Sequence, residues 1–426
     1  MPYCPPCRRH PGPGHGFIRS GLSSESTCEN GGRVSSLAWI DFDEAERQRT
    51  QRIMSLFQER ESRDELGIGA IRDSIADHLF PGTSTIQTRL RYMLFIPWVF
   101  QSLNRRVAQP SEMMAEARSL EIRLADALQA GGETLGVIGR DAGPRLRRLP
   151  SAVYWAGLGS WGIRRFLGSP DGYFSAIGSL RSSQPSTREG EDGASDHYAS
   201  QIWHPALPTI PPGLFNNATF DLTTNETQFI IDRLVAEHPQ ALLTVLARKK
   251  FDADCRYIWE HPKLAEFPET ARKLVRHGEI FSSVMNGATL IYNLQLSELR
   301  ERESWITDYK NRLLTWSTEI DQAAIRGWSL DDFWQSIEHP NHRVQPAARR
   351  FVFEWLSMVR TDAASACLSV AARQLIRDRE CRLKTGQSRF INLGVRNNWG
   401  GASGVDRLSF RWPQAKSHLT DLAHAV

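Results

Sequence analysis

Gln87, Thr88, Arg89 and Arg91 stand close together in "TSTIQTRLRY", residues 83–92. These side-chain types can bond base edges and phosphates: arginine a guanine or a phosphate, glutamine an adenine, threonine either. Whether they can act depends on the elements that carry them. Ile68, Ile71, Ile75 and Leu79 recur at helical spacing, so 67–79 is expected to be an amphipathic helix, broken by Pro81-Gly82. Thr83 or Ser84 would cap a second helix whose inner face is Ile86, Leu90, Met93 and Leu94, with Gln87, Thr88 and Arg91 turned away. Two helices around a short glycine turn, over 67–96, match a helix-turn-helix-like element. A plain helical hairpin has the same pattern, its arginines lying beside a core.

A rival chemistry starts from the acids. Asp64, Glu65 and Asp73, with Glu59, Glu61 and Asp77 around them, could hold Mg²⁺ for a metal-dependent nuclease. No D…E-x-K spacing is present, and interleaved Arg60, Arg63 and Arg72 also suit a surface salt network. The triplet Glu-His-Pro occurs at 237–239, 260–262 and 338–340, where histidine and then proline read as helix stop signals. His339 and His342 form H-x-x-H without a third ligand at a fitting spacing, and Cys4, Cys7, His10, His15 and Cys28 only imitate a zinc site. No metal and no cofactor is assigned.

Two further segments are basic and aromatic. Residues 371–416 carry ten cations, Arg389, Arg396, Arg407 and Arg411 among them, against three acids. Gly400, Gly401, Ser403 and Gly404 lie within them in "NNWGGASGVDRL", a glycine loop whose amides could cradle a phosphate. It lacks the G-K-[ST] ending of a Walker loop, and a flexible loop on a basic surface explains it equally. Residues 140–166 hold six arginines, including Arg148 and Arg164, against Asp141, around Tyr154, Trp155 and Trp161. If these segments share one face, they form a track for a nucleic-acid backbone, DNA more than RNA.

The whole chain bounds these readings. Its 426 residues are 41% hydrophobic and 23% charged, which suits two or three globular domains. The formal charge is only +4, but seven of the 52 cations are lysine and the rest arginine, as polyanion binding or codon bias would produce. Scattered cysteines and an opening without an apolar core suggest a cytoplasmic protein, and no apolar run could cross a membrane.

The expected fold is mainly α and multi-helix, with a few short strands such as "ETLGVIG" and "RLSFRW". Residues 1–35 read as a disordered tail. Residues 36–180 form an N-terminal helical domain that opens with a helix capped by Asp41 or Asp43. A linker or irregular loop follows over 181–220, then a C-terminal helical domain over 221–426 with a basic, glycine-rich end. Helix starts are expected at Pro110, Pro150, Thr223 or Asp221, and Ser329.

The texts "SLAWIDF", "RDELGIGAIRD", "LFPGTSTIQTRLRY", "PSAVYWAGLGSWGIR" and "WGGASG…FRWP" resemble an uncharacterised bacterial family of unknown function over about 36–415. The resemblance implies a setting among phage-defence gene clusters, with helicases or phospholipase-D-like nucleases as partners, and supplies no activity. The expectation is a nucleic-acid-associated, non-catalytic component of an anti-phage system. The alternatives are a metal-dependent nuclease and a protein–protein scaffold.

Overall fold

The computed structural model describes residues 64–103, 109–183, 202–250 and 254–425. The expected tail with its Cys4 and Cys7, the helix after Asp41 or Asp43, Glu59, Glu61, and the serine-rich stretch over 184–201 lie outside them. Among the described residues there are sixteen α-helices, two isolated β-bridges and no strand. In the first half these are α1 (Gly69–Leu79), α2 (Tyr92–Gln101), α3 (Pro110–Ala130), α4 (Pro150–Ser160), α5 (Pro170–Ser183), α6 (Thr224–Glu237) and α7 (Leu242–Lys249). The longest, α8 (Glu269–Leu299), is followed by α9 (Glu303–Glu319), α10 (Gln322–Gly327), α11 (Leu330–Ser336) and α12 (Pro346–Thr361). Last come α13 (Ala363–Leu368), α14 (Val370–Lys384), α15 (Leu393–Asn397) and α16 (Trp412–Ala423).

Local chemistry sets many of these boundaries. Pro110 and Pro150 open α3 and α4 in the first turn, where a helix has no internal partner for the N–H that proline lacks. Thr223 and Glu226 close a reciprocal capping box on α6, and the Ser329 hydroxyl accepts from Asp332 N to start α11. Residues 363–384 form two helices rather than one, because Ser369 adopts an extended backbone and caps α14 through Ala372 N.

Tertiary packing then ties the helices to one hydrophobic core, drawn from Leu66 through Leu422 and from both sides of residues 181–220. At its centre α2, "YMLFIPWVFQ", is buried from Tyr92 to Phe100, as a helix apolar on every side must be. Gly157 on α4 sits so close to the Gly82 segment that a Cβ there would lie 2.5 Å from Gly82 O. That approach seats α4 against the turn following α1.

The second helix of the opening motif begins at Tyr92, not at Thr83 or Ser84. Residues 83–91 are irregular, with short turns at 85–86 and 90–91, so a helix-turn-helix over 67–96 is not formed. The reason is competition for the backbone. Thr88 N donates to the Tyr154 hydroxyl at 2.8 Å, and Leu90 N to the Asp421 carboxylate at 2.7 Å. Gln87 folds back on its own loop, donating to Gly82 O at 3.0 Å and accepting from Ser84 N at 3.2 Å. Donors that an isolated helix would use are satisfied by distant side chains instead.

The expected short strands are absent for a related reason. "ETLGVIG" places Gly136 and Gly139 at φ of +82 and +92, and "RLSFRW" has Phe410 and Arg411 left-handed at φ of 51 and 66. Neither backbone is extended.

Candidate nucleic-acid interface and a histidine-lined cleft

Most arginines singled out in the sequence close seams inside the fold. Arg91, 8% exposed, donates to Glu226 Oε1 and to Thr219 O, both at 2.8 Å. Arg89 bonds Asp421 Oδ1 at 2.9 Å and lies 4.6 Å over the Phe220 ring. Gln87 is 5% exposed, and the Thr88 hydroxyl is used on Gly136 O at 2.7 Å. The expected wheel holds only in part: Leu90, Met93 and Leu94 are buried as expected, but Gln87 and Arg91, meant for solvent, are buried too, while Ile86 is exposed.

The basic C-terminal segment meets acids from elsewhere in the chain. Arg389 donates to Glu65 Oε1 at 2.7 Å, to the Tyr292 hydroxyl at 3.0 Å and to Ser403 Oγ at 2.9 Å. Arg373 pairs with Glu298, Lys384 with Glu65, and Lys416 with Asp254. Arg411 is buried against Asp73, Asp77 and Thr83 O. Arg396 bonds the carbonyls of Arg389 and Phe390, both at 3.2 Å. Arg407 stacks over Trp259 at 4.8 Å and donates to Glu279 O, and burial lowers its pKa. Arg164 lies 4.7 Å over Trp155, its pKa likewise lowered by burial. These arginines do not line one groove; each serves a different seam.

The glycine loop is also occupied. Ser403 N donates to Asn293 Oδ1 and Ser403 O accepts from Asn293 Nδ2, each at 2.8 Å, while the Tyr309 hydroxyl donates to Gly401 O at 2.6 Å. Gly404 is left-handed at φ +61, and Gly400 stands open. The Ser403 amide, one of those expected to cradle a phosphate, points at a protein acceptor. The acids fare alike: Asp64 accepts from Ile68 N and Gly69 N at the start of α1, Glu65 holds Arg389, and Asp73 holds Arg411. Among the described residues no three His, Cys, Asp or Glu side chains are arranged to hold a metal ion.

Arg148 differs. It stands exposed with Arg140, Arg145 and Arg147 on the loop between α3 and α4. Asp141, the single acid of residues 140–149, is paired with Arg140 at 3.3 Å. Arg145, Arg147 and Arg148 make no side-chain bond or ion pair among the described residues. The loop beneath them is fixed: Arg118 Nη2 donates to Pro144 O at 2.7 Å and Leu146 O at 2.8 Å, and Ile138 N donates to the Tyr92 hydroxyl at 2.9 Å.

A concavity lies elsewhere, a cleft of about 1180 Å³ between the end of α1, the second half of α4, the end of α6 and the 336–342 turn. Its walls are largely apolar, and His78, His238, His339 and His342 line it. His342 Nε2 bonds Asp77, and His78 and His339 meet edge to face with centroids 5.1 Å apart. Across the cleft, His238 Nε2 lies 2.9 Å from Ser160 Oγ. That is no nucleophile–base pair, because the same nitrogen donates to Ser160 O at 2.8 Å and so already carries its proton.

A model of the family of unknown function DUF6361 matches residues 34–426. The chain belongs to DUF6361. No curated protein and no solved structure matches it. Among the described residues of this DUF6361 chain, no helix is long and apolar enough to cross a membrane.

Sequence reasoning missed the cleft, although two of its histidines stood in the Glu-His-Pro triplets. His238 does follow the end of α6 and His339 that of α11, so the stop-signal reading holds for both. The DUF6361 fold then turns the two helix ends toward one cavity, which the spacing of the triplets could not reveal.

Proposed function

We propose that this chain binds nucleic acid without acting chemically on it, through the arginines between α3 and α4. One observation carries the reading: Arg145, Arg147 and Arg148 are exposed and, among the described residues, unpaired on a loop whose backbone is already fixed. Exposed guanidinium groups have no internal compensation, and a fixed backbone lowers the ordering cost of meeting successive phosphates. A polyanion answers both features. The phage-defence setting that the resemblance implies would make a helicase or nuclease subunit its partner.

Affinity for duplex and single-stranded DNA and RNA, measured at two salt concentrations, tests this. Binding should weaken with salt, by about 0.9 logarithmic units per logarithmic unit of salt for each duplex phosphate contacted. Replacing Arg145, Arg147 and Arg148 together by alanine should make that slope shallower and leave the fold intact. No binding at low salt, or an unchanged slope in the triple variant, defeats the reading.

A scaffold role has its own observation. Leu368 and Val370 are 84% and 81% exposed on either side of Ser369, and Leu314 and Phe353 are exposed on helices packed against α13. Co-purification with a neighbour-encoded subunit, without nucleic-acid affinity, would favour it.

A further inference from the structure

The cleft holds two imidazoles whose protons are fixed in opposite places. His78 Nδ1 lies 2.9 Å from Ser74 O, and a carbonyl only accepts, so the ring proton sits on Nδ1 and Nε2 presents a lone pair. His339 Nδ1 receives the backbone N–H of Asn341 at 3.1 Å, so its proton sits on Nε2. Neither Nε2 has a protein partner among the described residues, and both rings line the cleft. Burial and the neighbouring His78 and His342 lower the pKa of His339, which favours the neutral ring. The two rings, edge to face with centroids 5.1 Å apart, thus bring an acceptor and a donor to the lining of one cavity.

This pairing selects its ligand. A carboxylate, which only accepts, meets the His78 lone pair; an ammonium, which only donates, meets the His339 N–H. A planar group presenting a donor beside an acceptor satisfies both. Each nucleobase has such an edge where it would pair with its complement: thymine N3–H beside O4, guanine N1–H beside O6, adenine N6–H beside N1, cytosine N4–H beside N3. Leu79, Val153, Ala156, Leu242 and Leu274 supply apolar wall for the ring faces.

We propose that the cleft binds an unpaired nucleobase by its pairing edge, held between His78 Nε2 and His339 Nε2. The proposal rests on the nucleic-acid reading for the source of the base, and the base site itself stands on the two histidines. A base in a duplex has this edge occupied, so single strands should bind more tightly than duplexes, with little sequence preference.

The test monitors the imidazole ring nitrogens by NMR while thymidine, N3-methylthymidine or an oligothymidylate is added to the full chain. Thymidine and the oligomer should both shift the resonances of His78 and His339. N3-methylthymidine, which lacks the donor, should bind at least roughly tenfold more weakly, as should thymidine with His78→Phe or His339→Phe. Circular dichroism of each variant checks that it folds. Equal binding of the methylated nucleoside, or thymidine binding that leaves both histidines unmoved, overturns the proposal. Oligomer binding that is lost with the three loop arginines but never touches the histidines also overturns it, and spares the nucleic-acid reading. Thymidine binding in the cleft without any oligomer affinity supports the base site and overturns the strand as its source.

Discussion

Asp77 divides its carboxylate between two residues of the C-terminal half: Oδ1 faces the Arg411 guanidinium and Oδ2 the His342 imidazole. Arg411 reaches this position from a left-handed backbone at φ 66, directly after the left-handed, buried Phe410. A non-glycine residue there carries strain, which the ion pairs with Asp73 and Asp77 and the 2.8 Å bond to Thr83 O offset. Arg411→Met should therefore cost about 3–5 kcal/mol, because two carboxylates lose their shared cation. Arg411→Lys should recover only part, since one ammonium cannot bridge three separated acceptors. A urea midpoint for Arg411→Met equal to that of the wild type would show that the clamp does not support the fold.

Gly157 offers a test of how α4 forms the cleft. An added Cβ would lie 2.7 Å from Met93 Cε, the flexible end of a side chain, but 2.5 Å from Gly82 O, a backbone atom that retreats only if the turn along the cleft moves. Gly157→Ala should destabilise by about 1–3 kcal/mol, as overpacking does. Gly400→Ala is the matched control: nothing lies within 4 Å of its Cβ position, and its stability should change by less than about 0.5 kcal/mol. Equal midpoints for the two variants would remove the close approach as a constraint.

What the sequence disclosed and what it withheld follow from the range of the interactions. The caps at Thr223 and Ser329 and the proline starts at 110 and 150 act within one helical turn, so their positions could be read from the text. The partners that keep residues 83–91 from becoming a helix do not act locally. Tyr154 is 66 residues from Thr88, and Asp421 is 331 from Leu90. The same range hid the fate of the arginines, for Arg91 finds Glu226 135 positions away and Arg411 finds Asp73 338 away. A cation-rich stretch such as 371–416 becomes a basic surface only where folding brings no acids to it. Arg148 keeps its charge exposed, and Arg389 and Arg411 do not.

Glu121 links packing to pH. Its carboxylate accepts from Ser151 N and Ser151 Oγ, both at 2.8 Å, at the start of α4, while burial pushes its pKa from 4.5 up to about 7 against those two bonds. The folded chain therefore holds this proton more tightly than the unfolded chain. The contribution is fully present below 4.5 and is lost as pH rises through about 7, on the order of 3 kcal/mol. In Glu121→Gln the amide oxygen can accept from Ser151 N and the amide nitrogen can donate to Ser151 Oγ. The variant should be more stable than the wild type at about pH 8 and should lose that advantage in acid. A stability difference that does not vary with pH would show that Glu121 is not the titrating group.

His418 acts in the opposite direction over nearly the same range. It is fully buried on α16, with Nε2 3.2 Å from Gln87 Oε1, and burial with Arg89 nearby pushes its pKa from 6.5 down to about 4. The unfolded chain takes up this proton first, so the stability it contributes is present above 6.5 and lost as pH falls through about 4. Between 4.5 and 6.5 the Glu121 contribution falls with rising pH while the His418 contribution rises. In the wild type the two should largely cancel. Glu121→Gln should expose stability that increases with pH across this range. His418→Gln, which keeps a donor for Gln87, should expose stability that decreases with pH. Chemical denaturation of the three proteins across the range reads both slopes directly. Parallel curves for the wild type and both variants would show that neither buried group titrates there.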